Sequence, residues 1–132
     1  MTKTTSARRV LVVDDERVIA DTLATILRQQ GYETAAAYDG NSALTLCETF
    51  GPELVISDVV MPGMSGIDLA IRIRQQYPGC KILLFSGQAA TSGLLDEARR
   101  KGHEFELLAK PIHPKELLAR IDGIKEEAQP QL

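Results

Sequence analysis

Five short apolar runs alternate along the chain with longer stretches of helical period. The runs occupy residues 10–13, 32–38, 54–57, 82–85 and 105–109, the second being weaker and rich in alanine. The first, third and fourth are apolar at consecutive positions rather than alternating. That pattern predicts strands buried on both faces, as in a parallel sheet covered by helices. Between the runs lie amphipathic stripes. Ile19, Leu23, Ile26 and Leu27 form one, ended by Gly31; Ala43, Cys47 and Phe50 form another, ended by Gly51 and Pro52. Ile67, Ala70, Ile71 and Arg74 follow Ser65, which has Asp68 three residues on, a capping pattern. Leu94, Leu95 and Ala98 precede Gly102, and Leu117, Leu118, Ile121 and Ile124 follow Pro114, a good first helical residue. The order βαβαβαβαβα predicts an α/β fold with a parallel sheet and right-handed crossovers.

At 132 residues the chain is long enough for one domain with a real core. Residues 9–126 are expected to form it, with 1–8 and 127–132 as flexible tails and no linker to a second domain. Apolar residues make up 44% and charged residues 25%, which excludes general disorder. The formal net charge of −3 gives no support for direct binding of nucleic acid or of an anionic membrane through bulk charge. No apolar run approaches a membrane span, and the polar, basic start lacks a secretory core. Cys47 and Cys80 have neither disulfide density nor metal spacing, so they read as reduced packing residues in a cytoplasmic protein.

In an open parallel sheet, ligands gather at the carboxyl ends of the strands. The first run ends in Asp14, Asp15 and Glu16, the third in Asp58, the fourth in Ser86 and Gly87, and the fifth in Lys110 and Pro111. The second ends in Asp39 and Gly40, which reads as a turn and helix cap. Three carboxylates held together would repel one another and raise each other's pKa values. With Lys110 the cluster carries −2, which one divalent cation balances. Oxygen ligands with no His or Cys nearby select Mg²⁺, with Mn²⁺ as the alternative, over zinc. A carboxylate beside such an ion can also act as a nucleophile towards phosphorus.

These residues resemble the receiver domain of two-component response regulators, the CheY-like family. The resemblance runs over nearly the whole chain and rests on VLVVDDE with Asp14 and Asp15, LVISDVVMPGMSG with Asp58, LLFSG with Ser86, and LLAKP with Lys110. It implies a flavodoxin-like (βα)5 sandwich with strand order 2-1-3-4-5. It further implies that Asp58 is the phosphoacceptor, supplied by a sensor histidine kinase or a histidine phosphotransfer protein. Asp15 and Asp58 would ligate Mg²⁺ through carboxylates, Val60 through its backbone carbonyl, and Asp14 mainly through water. Ser86 and Lys110 would contact the phosphoryl group, Gly87 would leave room beside it, and Pro111 would follow a cis peptide bond. The module would assist its own phosphorylation and dephosphorylation without being an enzyme in the usual sense. It would signal to a protein partner, with a dimer as one possible form.

Three features depart from the family pattern. Leu107 stands where an aromatic ring is common, so no ring can swing inward there. Ser86 and Lys110 are separated by an extra residue or two, in or beside the fourth helix. Val60 and Gln88 occupy positions that tune phosphoryl lifetime, and Val60 has no polar group to place an attacking water. Elsewhere, His103 and His113 read as turn and cap residues. The cluster of Arg99, Arg100 and Lys101 complements a helix end, and Met61 and Met64 are expected to line a mobile loop. The competing class is a Mg²⁺-dependent phosphatase or phosphotransferase with an aspartyl nucleophile. Such enzymes place Asp-x-Asp after the first strand, whereas Asp14 and Asp15 are adjacent. A nucleotide or flavin binder would need a glycine-rich turn that is missing. The chain reads as a stand-alone regulator or as a fragment of a larger one.

Overall fold

The computed structural model describes residues 8–87 and 91–128, with the backbone alone for 91, 92 and 124–128. Five strands alternate with five helices: β1 (Arg9–Val13), α1 (Arg17–Gln29), β2 (Glu33–Ala37), α2 (Gly40–Thr49), β3 (Leu54–Asp58), α3 (Gly66–Gln76), β4 (Lys81–Ser86), α4 (Thr91–Arg100), β5 (Glu106–Ala109) and α5 (Pro114–Ala128). The strands form one parallel sheet in the order β2-β1-β3-β4-β5. The expected flavodoxin-like α/β architecture is therefore present.

Successive side chains of a strand point to opposite faces, and the core divides accordingly. Leu11, Val13, Val55 and Leu84 face one apolar cluster, closed by Ala43, Cys47, Ile67, Ala70 and Ile73 of α2 and α3. Val10, Val12, Ile56, Leu83 and Phe85 face the other, closed by Leu23 and Leu27 of α1 and by Leu117 and Ile121 of α5. Both faces of the sheet are covered, which is why the central runs are continuously apolar.

Local signals act as expected at two helix starts. Asp39 accepts from the Ser42 N–H to cap α2, and Ser65 accepts from the Asp68 N–H to cap α3. Each strand end lies within one residue of its expected run, and Tyr32, Tyr38 and Phe105 fall outside the strands. Tyr32 donates its N–H to the Leu27 carbonyl and so belongs to the end of α1. Phe105 precedes β5 and lies under the Arg74 guanidinium, 4.1 Å from its ring centre. At the other end of the chain, α5 runs on to Ala128, so Glu127 and Ala128 are helical rather than tail. Arg8 lies 3.8 Å from Glu53; residues 1–7 and 129–132 of the expected tails, and Gln88, lie outside the described residues.

The methionines correct a second expectation. Met61 is buried in the core and Met64 packs against it, so neither lines an open loop. Cys47 and Cys80 are both free thiols. Burial pushes the Cys80 thiol up to about 12 and that of Cys47 upward as well, which leaves both as inert packing groups. Among the described residues no helix is long and apolar enough to cross a membrane.

Candidate functional site

Strand register brings the polar strand ends to one level. Val13 pairs with Ser57, Asp58 with Phe85, and Ser86 with Ala109. One residue further along, Asp14 stands beside Asp58 and Lys110 beside Gly87. Backbone bonds continue past the strand ends and fix these positions. The Asp14 N–H donates to Ala37, the Val59 N–H to Phe85, and the Lys110 N–H to Ser86.

Asp14, Asp15 and Asp58 each direct a carboxylate oxygen into one space, all within 4.8 Å of one another. Asp14 is fully buried and Asp58 is 6% exposed, whereas Asp15 is exposed. Lys110 Nζ lies 3.5 Å from Asp14 Oδ2 and 3.5 Å from Asp58 Oδ1. It also stands 5.0 Å above the centre of the Phe85 ring, a cation–π placement. Ser86 is buried at the same edge. Gly87 has Lys110 for its neighbour: a Cβ there would come 3.2 Å from the Lys110 Cβ, so the missing side chain makes room for the lysine stem. The Lys110–Pro111 peptide bond is cis.

Both buried carboxyls are held above the ordinary aspartate range. Loss of water on burial is the largest cause for Asp14, offset by its hydrogen bond from the Glu16 N–H and by Lys110. Burial again comes first for Asp58, with Lys110 lowering and Asp14 raising its pKa. Mutual repulsion, the cause expected from sequence, is the smaller effect. Asp14 is not a helix cap in the usual sense. It accepts from Glu16, 2.9 Å away, and Glu16 itself precedes α1 without a side-chain bond.

The donor set suits a hard divalent cation. Three carboxylates, two of them dehydrated, face a single ammonium, and no sulfur or imidazole ligand joins them in the cluster. Val60, expected to offer its backbone carbonyl, lies in the loop after β3, with its side chain 41% exposed.

Leu107 is half-buried in β5, and its carbonyl accepts from Arg120 of α5 at 3.1 Å. Beside Lys110 an apolar groove of about 270 Å³ runs between α1 and the β5–α5 connection, lined by Val18, Ile19, Leu23, Pro111 and Ile112. His103 and His113 stand away from the carboxylates: His103 Nδ1 lies 3.4 Å from Arg74, and the His113 carbonyl accepts from Leu117 in the first turn of α5. Arg99 pairs with Asp96 at 2.7 Å.

Two structural contributors to the site escape sequence reading. Phe85 underlies Lys110, and nothing in a continuous apolar run marks one ring out. Gly66, the first residue of α3, packs on the backbone of Asp58 and donates its N–H to the Val59 carbonyl at 2.8 Å.

Residues 10–122 match the response regulator receiver domain family, and the chain belongs to it. The chain is 35% identical over 117 residues to the DNA-binding response regulator MtrA of Mycobacterium tuberculosis, a match covering 89% of this chain and 50% of MtrA. It thus spans about half the length of the curated relatives it matches. Among solved structures, a CheY-like receiver domain protein from Methanospirillum hungatei superposes with a TM-score of 0.84 at 28% identity, covering 93% of this chain and 97% of that one. The signal receiver domain of an HD domain-containing protein from Pseudomonas fluorescens gives a TM-score of 0.83 at 32% identity, covering 92% and 97%. This is a signalling module of two-component systems. The aspartyl phosphatase alternative finds no support in these similarities.

Proposed function

We propose that Asp58 is the phosphoacceptor of this receiver domain, taking its phosphoryl group from a phosphohistidine on a sensor histidine kinase or a histidine phosphotransfer protein. The observation that carries this reading is the meeting of Asp14, Asp15 and Asp58 in one space, with Lys110 Nζ 3.5 Å from the Asp58 carboxylate. An Asp58 oxygen attacks phosphorus, the phosphorus–nitrogen bond breaks, and the imidazole keeps the electron pair. Lys110 donates to an oxygen of the transferred group, and the Ser86 hydroxyl turns to donate to another. Asp15, Asp58 and the Val60 carbonyl would hold Mg²⁺, or Mn²⁺ in its place, with Asp14 acting mainly through water. That outer role for Asp14 fits the commitment of its oxygens to Glu16 and Lys110. When bound, the ion neutralises charge on the phosphoryl oxygens.

The apolar groove beside Lys110 adjoins the acceptor and suits the docking of the phosphodonor protein. Val18, 78% exposed at its rim, gives that surface an apolar anchor. The domain assists its own phosphorylation and, slowly, its own hydrolysis, because Val60 offers no polar group to orient water. It works in the cytoplasm through a downstream protein contact, with dimerisation as one form of output. Treatment with acetyl phosphate and Mg²⁺ adds one phosphoryl mass to the wild type and none to Asp58→Ala. Equal labelling of both would overturn the assignment.

A further inference from the structure

We propose that Gly40, at the start of α2, is a positioning residue for the metal site, acting through Met64. This inference rests on the functional reading above and concerns how the loop that carries Val60 is held in place. The loop spans residues 59–65, between β3 and α3. Its ends are fixed by backbone contacts: Val59 N–H donates to Phe85, and Gly66 N–H returns to the Val59 carbonyl. Between those ends, Met61 is anchored in the core, while Met64 lies against Gly40 of a different element.

The contact leaves no space. A Cβ on Gly40 would come within 2.8 Å of Met64 Sδ, 2.9 Å of its Cβ and 3.1 Å of its Cγ. The thioether end of methionine can swing aside, but its Cβ moves only with the loop backbone. Nor is the glycine there for its conformation, because Gly40 does not have positive φ. At a helix start with ordinary dihedrals, alanine would be the better helix former. What the position requires is the empty volume into which Met64 sets. Asp39 caps that end of α2 through the Ser42 N–H but does not touch Met64, so the cap and the seat can be tested apart. A side chain at residue 40 would push Met64 outward and carry Val60 with it, four residues away in the same short loop. Small displacements of ligand groups weaken metal binding strongly.

The test is Mg²⁺ titration of the folded protein, with stability measured separately by urea in EDTA. Gly40→Ala should bind Mg²⁺ on the order of 10-fold more weakly, the scale of losses when groups that orient a ligand are disturbed. Met64→Ala, which empties the seat without crowding it, should shift affinity in the same direction. Asp39→Ala, which loses the α2 cap while leaving the seat empty for Met64, should lower stability but keep the wild-type affinity. A purely structural role for Gly40 would change the urea midpoint alone. Wild-type Mg²⁺ affinity in both Gly40→Ala and Met64→Ala would overturn the inference, and so would wild-type affinity in Met64→Ala if Gly40→Ala fails to fold. Absence of Mg²⁺ binding by the wild type would overturn the underlying reading as well, which separates the two failures.

Discussion

Gly66 and Asp58 touch backbone to backbone: a Cβ built on Gly66 would overlap the Asp58 carbonyl oxygen and crowd the Val59 Cα. The start of α3 is thereby pressed onto the end of β3, where Asp58 stands. Gly66→Ala should cost about 3 kcal/mol, the upper range for overpacking, because the atoms in the way are main chain and cannot rotate aside. Urea denaturation measures this. A loss within error of zero would mean that α3 can lift from β3 freely.

The buried carboxylates make the metal-free site a source of instability. Asp14 and Asp58 titrate above the ordinary 3.8 in the folded state, chiefly because burial disfavours their charge. The unfolded chain therefore ionises first as pH rises. The stability these groups contribute is fully present below about pH 4, the unfolded value, and is lost as pH climbs through the raised folded values. Asp58→Asn cannot ionise and escapes that loss. In EDTA it should be more stable than the wild type at pH 7, on the order of 1 kcal/mol, and close to it at pH 4. Added Mg²⁺ should narrow the gap by stabilising the wild type. Urea midpoints at the two pH values, with and without Mg²⁺, give the comparison. A wild type more stable than Asp58→Asn at pH 7 in EDTA would contradict it.

Lys110 is the cation in contact with both buried carboxylates, yet its side chain is 22% exposed. Lys110→Ala should remain folded and lose about 1–2 kcal/mol at pH 7, between the exposed and buried limits for ion pairs. Its phosphorylated form should fail to show the wild-type conformational change. Circular dichroism and amide exchange separate these effects. An unfolded variant, or one with a normal phosphorylation response, would remove the lysine from the role given to it.

The polar strand ends were legible because each apolar run stops abruptly at a charged or hydroxylated residue, and a parallel sheet gathers such ends at one edge. Asp14, Asp58, Ser86 and Lys110 all follow from that one fact. The seats at Gly40 and Gly66 were not legible, since each depends on which backbone or side chain another element brings close. Met61 shows the same limit from the other side. Its neighbours Pro62 and Gly63 read as a turn, and only the packed structure shows the side chain entering the core. The cause of the raised carboxyl pKa values was also hidden, because the charge count is in the sequence but the depth of burial is not.

Asp39 offers a contrast to the buried pair. Its carboxyl is held below the ordinary range, first of all by the Ser42 N–H. The cap's contribution is therefore present above pH 3.8, the unfolded value, and fades as pH falls through the lower folded one. Asp39→Ala should lose about 1 kcal/mol at pH 7, the usual worth of an Asp cap. The loss should shrink in acid, opposite in sign to the effect of Asp58→Asn, and urea titrations across that range would reveal a failure of either sign.

Where the phosphorylation signal leaves the site depends on what β5 can do. Leu107 has no ring or hydroxyl to move between solvent and interior. Its carbonyl is held at 3.1 Å by Arg120, whose guanidinium is in turn paired with Glu106 at 2.7 Å. The strand is thus clamped to α5 at Glu106 and at Leu107 itself, the position where an aromatic residue is common in the family. Phosphorylation adds about −1.5 to −2 charges and new acceptor oxygens next to Ser86 and Lys110. A population shift needs two states that differ in affinity for that group, and Ser86 can supply the difference without help from Leu107. The response should therefore appear in residues 87–93, directly after Ser86, more than in 106–110. Amide exchange with and without beryllofluoride, which stands in for the phosphoryl group on Asp58, would map it. Arg120→Ala should loosen β5 and let protection in 106–110 change as well. A wild-type response confined to 106–110, with 87–93 unchanged, would show that β5 switches despite its leucine and its clamp.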